Sequence, residues 1–301
     1  MIKTSPKKNR GYVNILNVSI SSTPKQSLLR AIYLNLVEFD KSEAKSRLLV
    51  VTPNPEQIIL AQKDREFNTI INIADIALPD GIGIIEAHRY LNLSLPNNSS
   101  IKVLYAFLQG IYIGFCTLLN NKWLKENLHV IKGRDFFIDL IKITNKRSWR
   151  IYLLGGKNGT AETVQAVLER SYKKVKIKSF SGPILNSAGY PVTETDRQLE
   201  EKAVHEIGTF KPHLLFVAFG APKQEKWLYR HINKLNIGAG MVVGGTFDYI
   251  AGKQKVPPKI FDALNLEWLW RLFAGNQNLR RLFISFPLFP WKVFIYKIKS
   301  I

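Results

Sequence analysis

Trp149–Thr160 reads WRIYLLGGKNGT, and this stretch decides the fold. Arg150–Leu154 is a short apolar run that stops abruptly at Gly155-Gly156. Such a run, bounded by a glycine turn, predicts a buried strand. Thr160–Tyr172 then predicts a helix. The same order of strand, turn and helix recurs on both sides. Downstream, Val175–Phe180 predicts a strand, Asp196–Ile207 a helix, and His213–Ala218 a strand ending at Gly220-Ala221-Pro222. Glu225–Leu235 predicts a helix, and Ala239–Val243 a strand closed by Gly244-Gly245. Upstream, Arg47–Thr52 (RLLVVT) stops at Pro53, and Pro55 suits an early position in a helix running to Lys63. Ile76–Leu78 stops at Pro79-Asp80-Gly81, with a helix through Tyr90. Ser27–Phe39 and Asp135–Thr144 complete the helical segments. The repetition implies right-handed crossovers and a Rossmann-like α/β fold on a parallel sheet. Ligands of such sheets lie beyond the carboxyl ends of the strands. The turns after Val51, Leu78, Leu154, Phe219 and Val243 are therefore expected to share one edge.

The chain has 301 residues, 46% of them hydrophobic, with 43 Lys+Arg against 23 Asp+Glu, a net charge of +20. The apolar content excludes a disordered polyelectrolyte. One cysteine, Cys116, excludes a disulfide framework and a zinc ribbon. The five histidines show no metal-ligand spacing, so neither a metal nor another cofactor is expected. The charge predicts an anionic partner: nucleic acid, an anionic membrane surface or a phosphorylated substrate. A nucleic-acid-binding protein is the weaker reading, because no recognition motif accompanies the charge.

Three domains of differing character are expected. Residues 1–10 read as a basic N-terminal arm and 11–253 as the Rossmann-like domain. Residues 254–301 form a C-terminal appendage; Val256–Ile301 carries seven basic residues against two acidic, a net +5, among Phe and Trp. Within the main domain lies an apolar insert, 97–122. Val103–Leu119 (VLYAFLQGIYIGFCTLL) has no charge, but Gln109, Gly110 and Gly114 favour a buried or half-inserted helix over a spanning one. In the appendage, Leu282–Tyr296 (LFISFPLFPWKVFIY) is interrupted by Pro287 and Pro290 and suits a membrane interface.

Each turn on the expected edge carries polar side chains. Thr52 and Asn54, in Thr52-Pro-Asn54-Pro-Glu56, can hydrogen-bond a sugar or base edge; the plainer reading is turn chemistry. Asp80 can act as a general base in a strand-to-helix turn, or simply cap the helix. Gly155 and Gly156 precede a helix as a phosphate cradle would, although a tight turn reads equally well. Gln224 can read a nucleobase or ribose. Asp248, after Gly245, can accept hydrogen bonds from a ligand. Five such turns on one edge make a binding cleft the better reading.

The motifs Thr52-Pro-Asn-Pro-Glu56, Ala74-Asp-Ile-Ala-Leu-Pro-Asp80-Gly-Ile-Gly83, Leu153-Leu-Gly-Gly156, Gly220-Ala-Pro-Lys-Gln-Glu225, Val243-Gly-Gly-Thr-Phe-Asp248 and Leu266-Glu-Trp-Leu-Trp-Arg-Leu272 occur in order. In them the chain resembles the WecG/TagA/CpsF family of bacterial glycosyltransferases, over about Asn14–Arg281. The resemblance implies a metal-independent, inverting enzyme. It would move a sugar, N-acetylmannosamine or a related hexose, from a UDP-sugar to a polyprenyl-diphosphate-linked sugar. Cell-surface polysaccharide or teichoic acid synthesis would be the setting, at the cytoplasmic face of the membrane. It also implies Asp80 as catalytic base, and Thr52 and Asn54 as acceptor- and donor-side contacts. Gln224 and Asp248 would be uridine or ribose contacts. Arg271, Arg280 and Arg281 would close over the diphosphate. The chain departs from the family pattern at Val256, where arginine is usual, and at Gly275–Asn278. A UDP-sugar binder without transfer is the alternative within the family. Self-association stays open.

Overall fold

The computed structural model describes residues 11–41, 47–97, 99–119, 121–258, 260–261, 270 and 279–299. The basic arm, Arg271 and Gly275–Asn278 lie outside the described residues, as does most of the Leu266–Leu272 motif.

A sheet of six parallel strands forms the centre. They are β3 (Leu48–Val51), β4 (Ile76–Ala77), β5 (Arg150–Gly155), β6 (Lys176–Phe180), β7 (Leu214–Ala218) and β8 (Ala239–Val242). Their order is β4-β3-β8-β7-β5-β6, and every neighbouring pair is parallel. All carboxyl ends therefore share one edge, as expected. After β4 the chain crosses the sheet to β5, and β7 and β8 later fill the gap between. The predicted strands match the observed ones to within a residue or two.

Side chains alternate between two cores, as strands buried on both faces require. Leu49, Val51, Tyr152, Leu154, Leu215 and Val217 enter one core; Val50, Ile151, Leu153, Leu214 and Phe216 enter the other. The second core is covered by α1 (Lys25–Asp40), α7 (Gly133–Arg147) and α8 (Thr160–Ser171). The first is covered by α2 (Pro55–Ala61), α3 (Arg65–Ile73), α4 (Ile82–Leu91), α9 (Glu194–Phe210) and α10 (Lys223–Ile232). His213 is buried beside α1. Its Nδ1 accepts from the Arg150 N–H and its Nε2 lies 2.8 Å from Asp40 Oδ1. This histidine is structural, and burial lowers its pKa.

Two elements go beyond the sequence reading. Gly11–Ser22 folds as an antiparallel hairpin, β1 (Tyr12–Ile15) and β2 (Val18–Ser21), turned at Leu16-Asn17 with φ of 48° and 61°. Helix α3 is capped by Asp64, whose side chain accepts from the Phe67 N–H.

The apolar insert is a 21-residue helix, α5 (Ser99–Leu119), followed by α6 (Asn121–Leu124) and packed on α4. The C-terminal segment runs as α12 (Leu279–Phe283), a kinked π-turn over Ile284–Leu288, and α13 (Phe289–Lys299). The kink lies at Phe286-Pro287, where Phe286 is extended. Pro290 does not break the chain, since it sits in the first turn of α13, where proline is tolerated. Phe289 and Val293 are buried in the first core, so the last helix is part of the main packing.

Candidate active site

The ends of β3 and β4 are laced to the loop before α7. The Leu78 N–H donates to Val51 O (2.8 Å), the Asp80 N–H to Pro53 O (3.2 Å) and the Ile131 N–H to Pro79 O (3.0 Å). The Gly133 N–H faces Asp80 Oδ1 at 3.4 Å. A side chain on Gly133 would crowd the turn: a Cβ there would stand 3.2 Å from Thr52 Cγ2 and 3.7 Å from Asp80 Oδ2. Three segments far apart in sequence thus converge on Thr52, Asp80 and Gly133. Asp80 is half-buried, and Thr52 is buried. Asp80 does not serve as a side-chain N-cap of α4, which begins after Gly81 without one. Asn54 does cap a helix: its Oδ1 accepts from the Gln57 N–H at 3.0 Å and starts α2.

Gln224 and Glu225 form a buried hub between the last two turns. Gln224 Oε1 accepts from the N–H groups of Gly220 (3.1 Å) and Gly244 (3.2 Å). Its Nε2 donates to Glu225 Oε1 (3.0 Å). Gln224 therefore ties the β7 turn to the β8 turn. Glu225 is fully buried, and burial raises its carboxyl to about 7. Its Oε1 also faces Gln57 Nε2 of α2 at 3.5 Å, and its Oε2 has no hydrogen-bond partner among the described residues. Lys253 lies outside the sequence reading, and Glu225, the last residue of the Gly220–Glu225 motif, reads there as a helix cap; its burial is what the sequence does not announce.

Gly155 and Gly156 adopt φ of 102° and 81°. A Cβ on Gly155 would meet the Ala218 backbone at 2.8–3.1 Å, and the Gly156 N–H donates to Ala218 O at 3.0 Å. Close approach of β5 to β7 accounts for Gly155, whereas a Cβ on Gly156 would meet Thr160 Cβ of α8 at 2.8 Å. Past them, Lys253 Nζ reaches across to Lys157 O (3.1 Å), Asn158 O (3.3 Å) and Thr160 Oγ1 (2.7 Å). Gly245 precedes α11 (Thr246–Ile250), which carries the half-buried Asp248. The Arg134 guanidinium lies over the neighbouring Tyr249 ring at 5.2 Å.

The C-terminal segment reaches the same edge. Arg281 Nε donates to both oxygens of Glu56, at 3.0 and 2.8 Å, directly after Thr52-Pro-Asn54-Pro. Arg280 is exposed one position earlier. The edge thus gathers a carboxylate, hydroxyl and amide side chains, several backbone N–H groups and a tethered guanidinium. That combination can take a proton from a hydroxyl, hold a polar ligand and meet anionic charge.

Comparison with known proteins gives the same direction. The chain matches the profile described as "Glycosyl transferase WecG/TagA/CpsF family" over residues 13–110 and 105–301, two stretches that overlap on α5. It is 27% identical over 285 residues to the N-acetylglucosaminyldiphosphoundecaprenol N-acetyl-beta-D-mannosaminyltransferase of Staphylococcus aureus strain NCTC 8325 / PS 47, covering 95% of this chain and 93% of that one. The proteins of that name from strains COL and MRSA252 match equally.

Proposed function

The chain belongs to the WecG/TagA/CpsF family of glycosyl transferases, and from that premise we propose that it moves N-acetylmannosamine or a related hexose from a UDP-sugar to a polyprenyl-diphosphate-linked N-acetylglucosamine. Asp80 removes the proton from the acceptor hydroxyl. The oxygen attacks the anomeric carbon from the face opposite the leaving group, so the configuration inverts. The bond from that carbon to the diphosphate breaks, and UDP departs with the electron pair. Arg281 and Arg280, with Arg271, meet its charge without a metal. Thr52 and Asn54 contact the two sugars. The hub at Gln224 and the turn carrying Gly245 and Asp248 form the nucleoside wall. Gly155 and Gly156 keep the adjoining turn close to it. The acceptor places the enzyme at the cytoplasmic face of the membrane, in cell-surface polysaccharide or teichoic acid synthesis.

One observation carries this reading. Asp80 stands at the shared strand edge with a backbone N–H on its carboxylate and Thr52 beside it, near the segment that brings Arg281 to Glu56. The Gly133 N–H faces one carboxylate oxygen and so orients the carboxyl group within the turn. General-base assistance is typically worth about 10²–10⁴ in rate. Asp80→Asn is expected to lose transfer by at least about 10² while retaining UDP in equilibrium binding. Near-wild-type transfer by this variant would exclude Asp80 as the base. Retained UDP-sugar binding with no transfer in the unmodified protein would instead identify a binder.

A further inference from the structure

Helix α5 presents the wrong surface to water. Ala106, Ile113, Cys116 and Thr117 are buried against the domain, and they form one stripe. Other large apolar side chains face outward, among them Leu104, Phe107, Leu108, Ile111, Phe115 and Leu118, each between 44% and 61% exposed. At about 100° per residue these six span roughly 100° of the helix, and the equally exposed Val103, Gly110 and Gly114 on one side and Tyr105 and Tyr112 on the other widen the exposed arc to roughly 220°. No charged residue lies within that arc. An exposed apolar patch of this extent marks an interaction surface.

The width of the arc selects the partner. A second protein surface covers one face of a helix, whereas acyl chains close around it from every open side. The tyrosines agree. Tyr105 and Tyr112 lie together on one border of the arc, where an amphipathic ring suits a bilayer interface. The charges agree as well. Lys102 and Lys122 bracket the helix, and Lys292 and Lys299 lie on α13, which packs against α5. Phe283, Phe286 and Trp291 of the C-terminal segment are exposed as well.

The other side of α5 is bonded to the domain too firmly for it to leave. The Tyr90 hydroxyl donates to Ala106 O (3.1 Å), and Thr117 Oγ1 donates to Glu86 Oε1 (2.6 Å). Lys297 Nζ of α13 donates to Gln109 Oε1 (2.7 Å) and Tyr90 O (2.5 Å). A spanning α5 would take Thr117 from the half-buried Glu86 and Gln109 from the buried Lys297. We infer that α5 is an in-plane membrane helix, embedded by its 104–118 arc in the hydrocarbon boundary of an anionic bilayer while its opposite stripe stays docked on α4 and α13. The helix follows α4 directly, so this surface presents the strand edge that begins α4 to the bilayer. It deepens the glycosyl-transfer reading by naming how the lipid-linked acceptor is approached.

Flotation with vesicles of phosphatidylcholine, with and without phosphatidylglycerol, tests the surface. The unmodified full chain is expected to float, more strongly on the anionic vesicles. Leu104→Glu, Leu108→Glu and Phe115→Glu should each lower partitioning about tenfold, while Leu34→Glu, at an exposed apolar site on α1, leaves it unchanged. Each altered side chain is already exposed, so the thermal midpoint should hold. Leu104→Trp and Phe115→Trp, read with lipids brominated at known acyl positions, should quench at one shared shallow depth. Depths that differ along the helix would overturn the in-plane orientation. Flotation undiminished in the triple glutamate variant would overturn the surface. So would a stable dimer in lipid-free buffer that cross-links through Phe115→Cys. Transfer to a short-chain, water-soluble acceptor separates the two readings. If the unmodified protein transfers nothing there, the glycosyl-transfer reading fails while the flotation result stands.

Discussion

Glu225 sits in the first turn of α10, wholly enclosed, with burial raising its carboxyl from 4.5 to about 7. A carboxyl raised in the fold favours the protonated folded state. Its contribution is complete below about 4.5 and lost as pH rises through about 7, amounting to roughly 3 kcal/mol. The thermal midpoint should therefore fall between pH 5 and 8 by several degrees more in the unmodified protein than in Glu225→Gln, which mimics the neutral acid. Parallel curves for the two would show that Glu225 is not the group. Gly133 makes a different prediction. A methyl there presses on Thr52 and Asp80 by a few tenths of an ångström. Gly133→Ala should lower turnover about tenfold or more with little change in thermal midpoint, because misplacement costs rate while the helix gains alanine. Steady-state kinetics beside a melting curve checks it. At this scale the sequence revealed residue types on the right edge but not their bonding. Gln224 reads as a ligand contact, yet its amide oxygen is engaged by two glycine N–H groups twenty-four positions apart. No local pattern announces such a link.

Among the elements, the strands were the most legible, because each short apolar run ends at glycine or proline. Helix ends were read late. Thr193 and Asp196 form a capping box that starts α9 at Glu194, ahead of its first apolar position. Helix α3 and the hairpin were missed: α3 follows α2 almost without a break, and Leu16 is an unusual residue for a turn needing positive φ. The C-terminal helix also differs from a detachable tail. Phe289 and Val293 fill the same core as α4, and Lys297 is buried with its pKa lowered to about 8 by desolvation. Phe289→Ala should cost about 3–5 kcal/mol of stability, as for other buried aromatics. A loss under about 1 kcal/mol by chemical denaturation would mean that α13 does not dock in solution.

Across the whole molecule, the net charge of +20 is distributed unevenly. Arg281 is tied to the strand edge, Lys253 to a turn, and Lys297 to the inside of a helical junction. Lys292 and Lys299 are exposed on α13, beside α5. The sequence showed the charge and the apolar stretch separately; only the packing of α5 on α4 and α13 puts them on one side.

That packing has a consequence for reach. Helix α4 begins directly after Asp80 and runs antiparallel to α5, as the pairing of Tyr90 with Ala106 and of Glu86 with Thr117 requires. Packed helices stand about 8–10 Å apart. With α5 lying in the bilayer boundary, α4 becomes a spacer of fixed height, and the domain works as a gauge. On the proposed in-plane seating, a hydroxyl on the first sugar above a lipid diphosphate would come level with Asp80, whereas one on a longer glycan would pass over it. Chain length would then be limited by elevation rather than by recognition of the sugar.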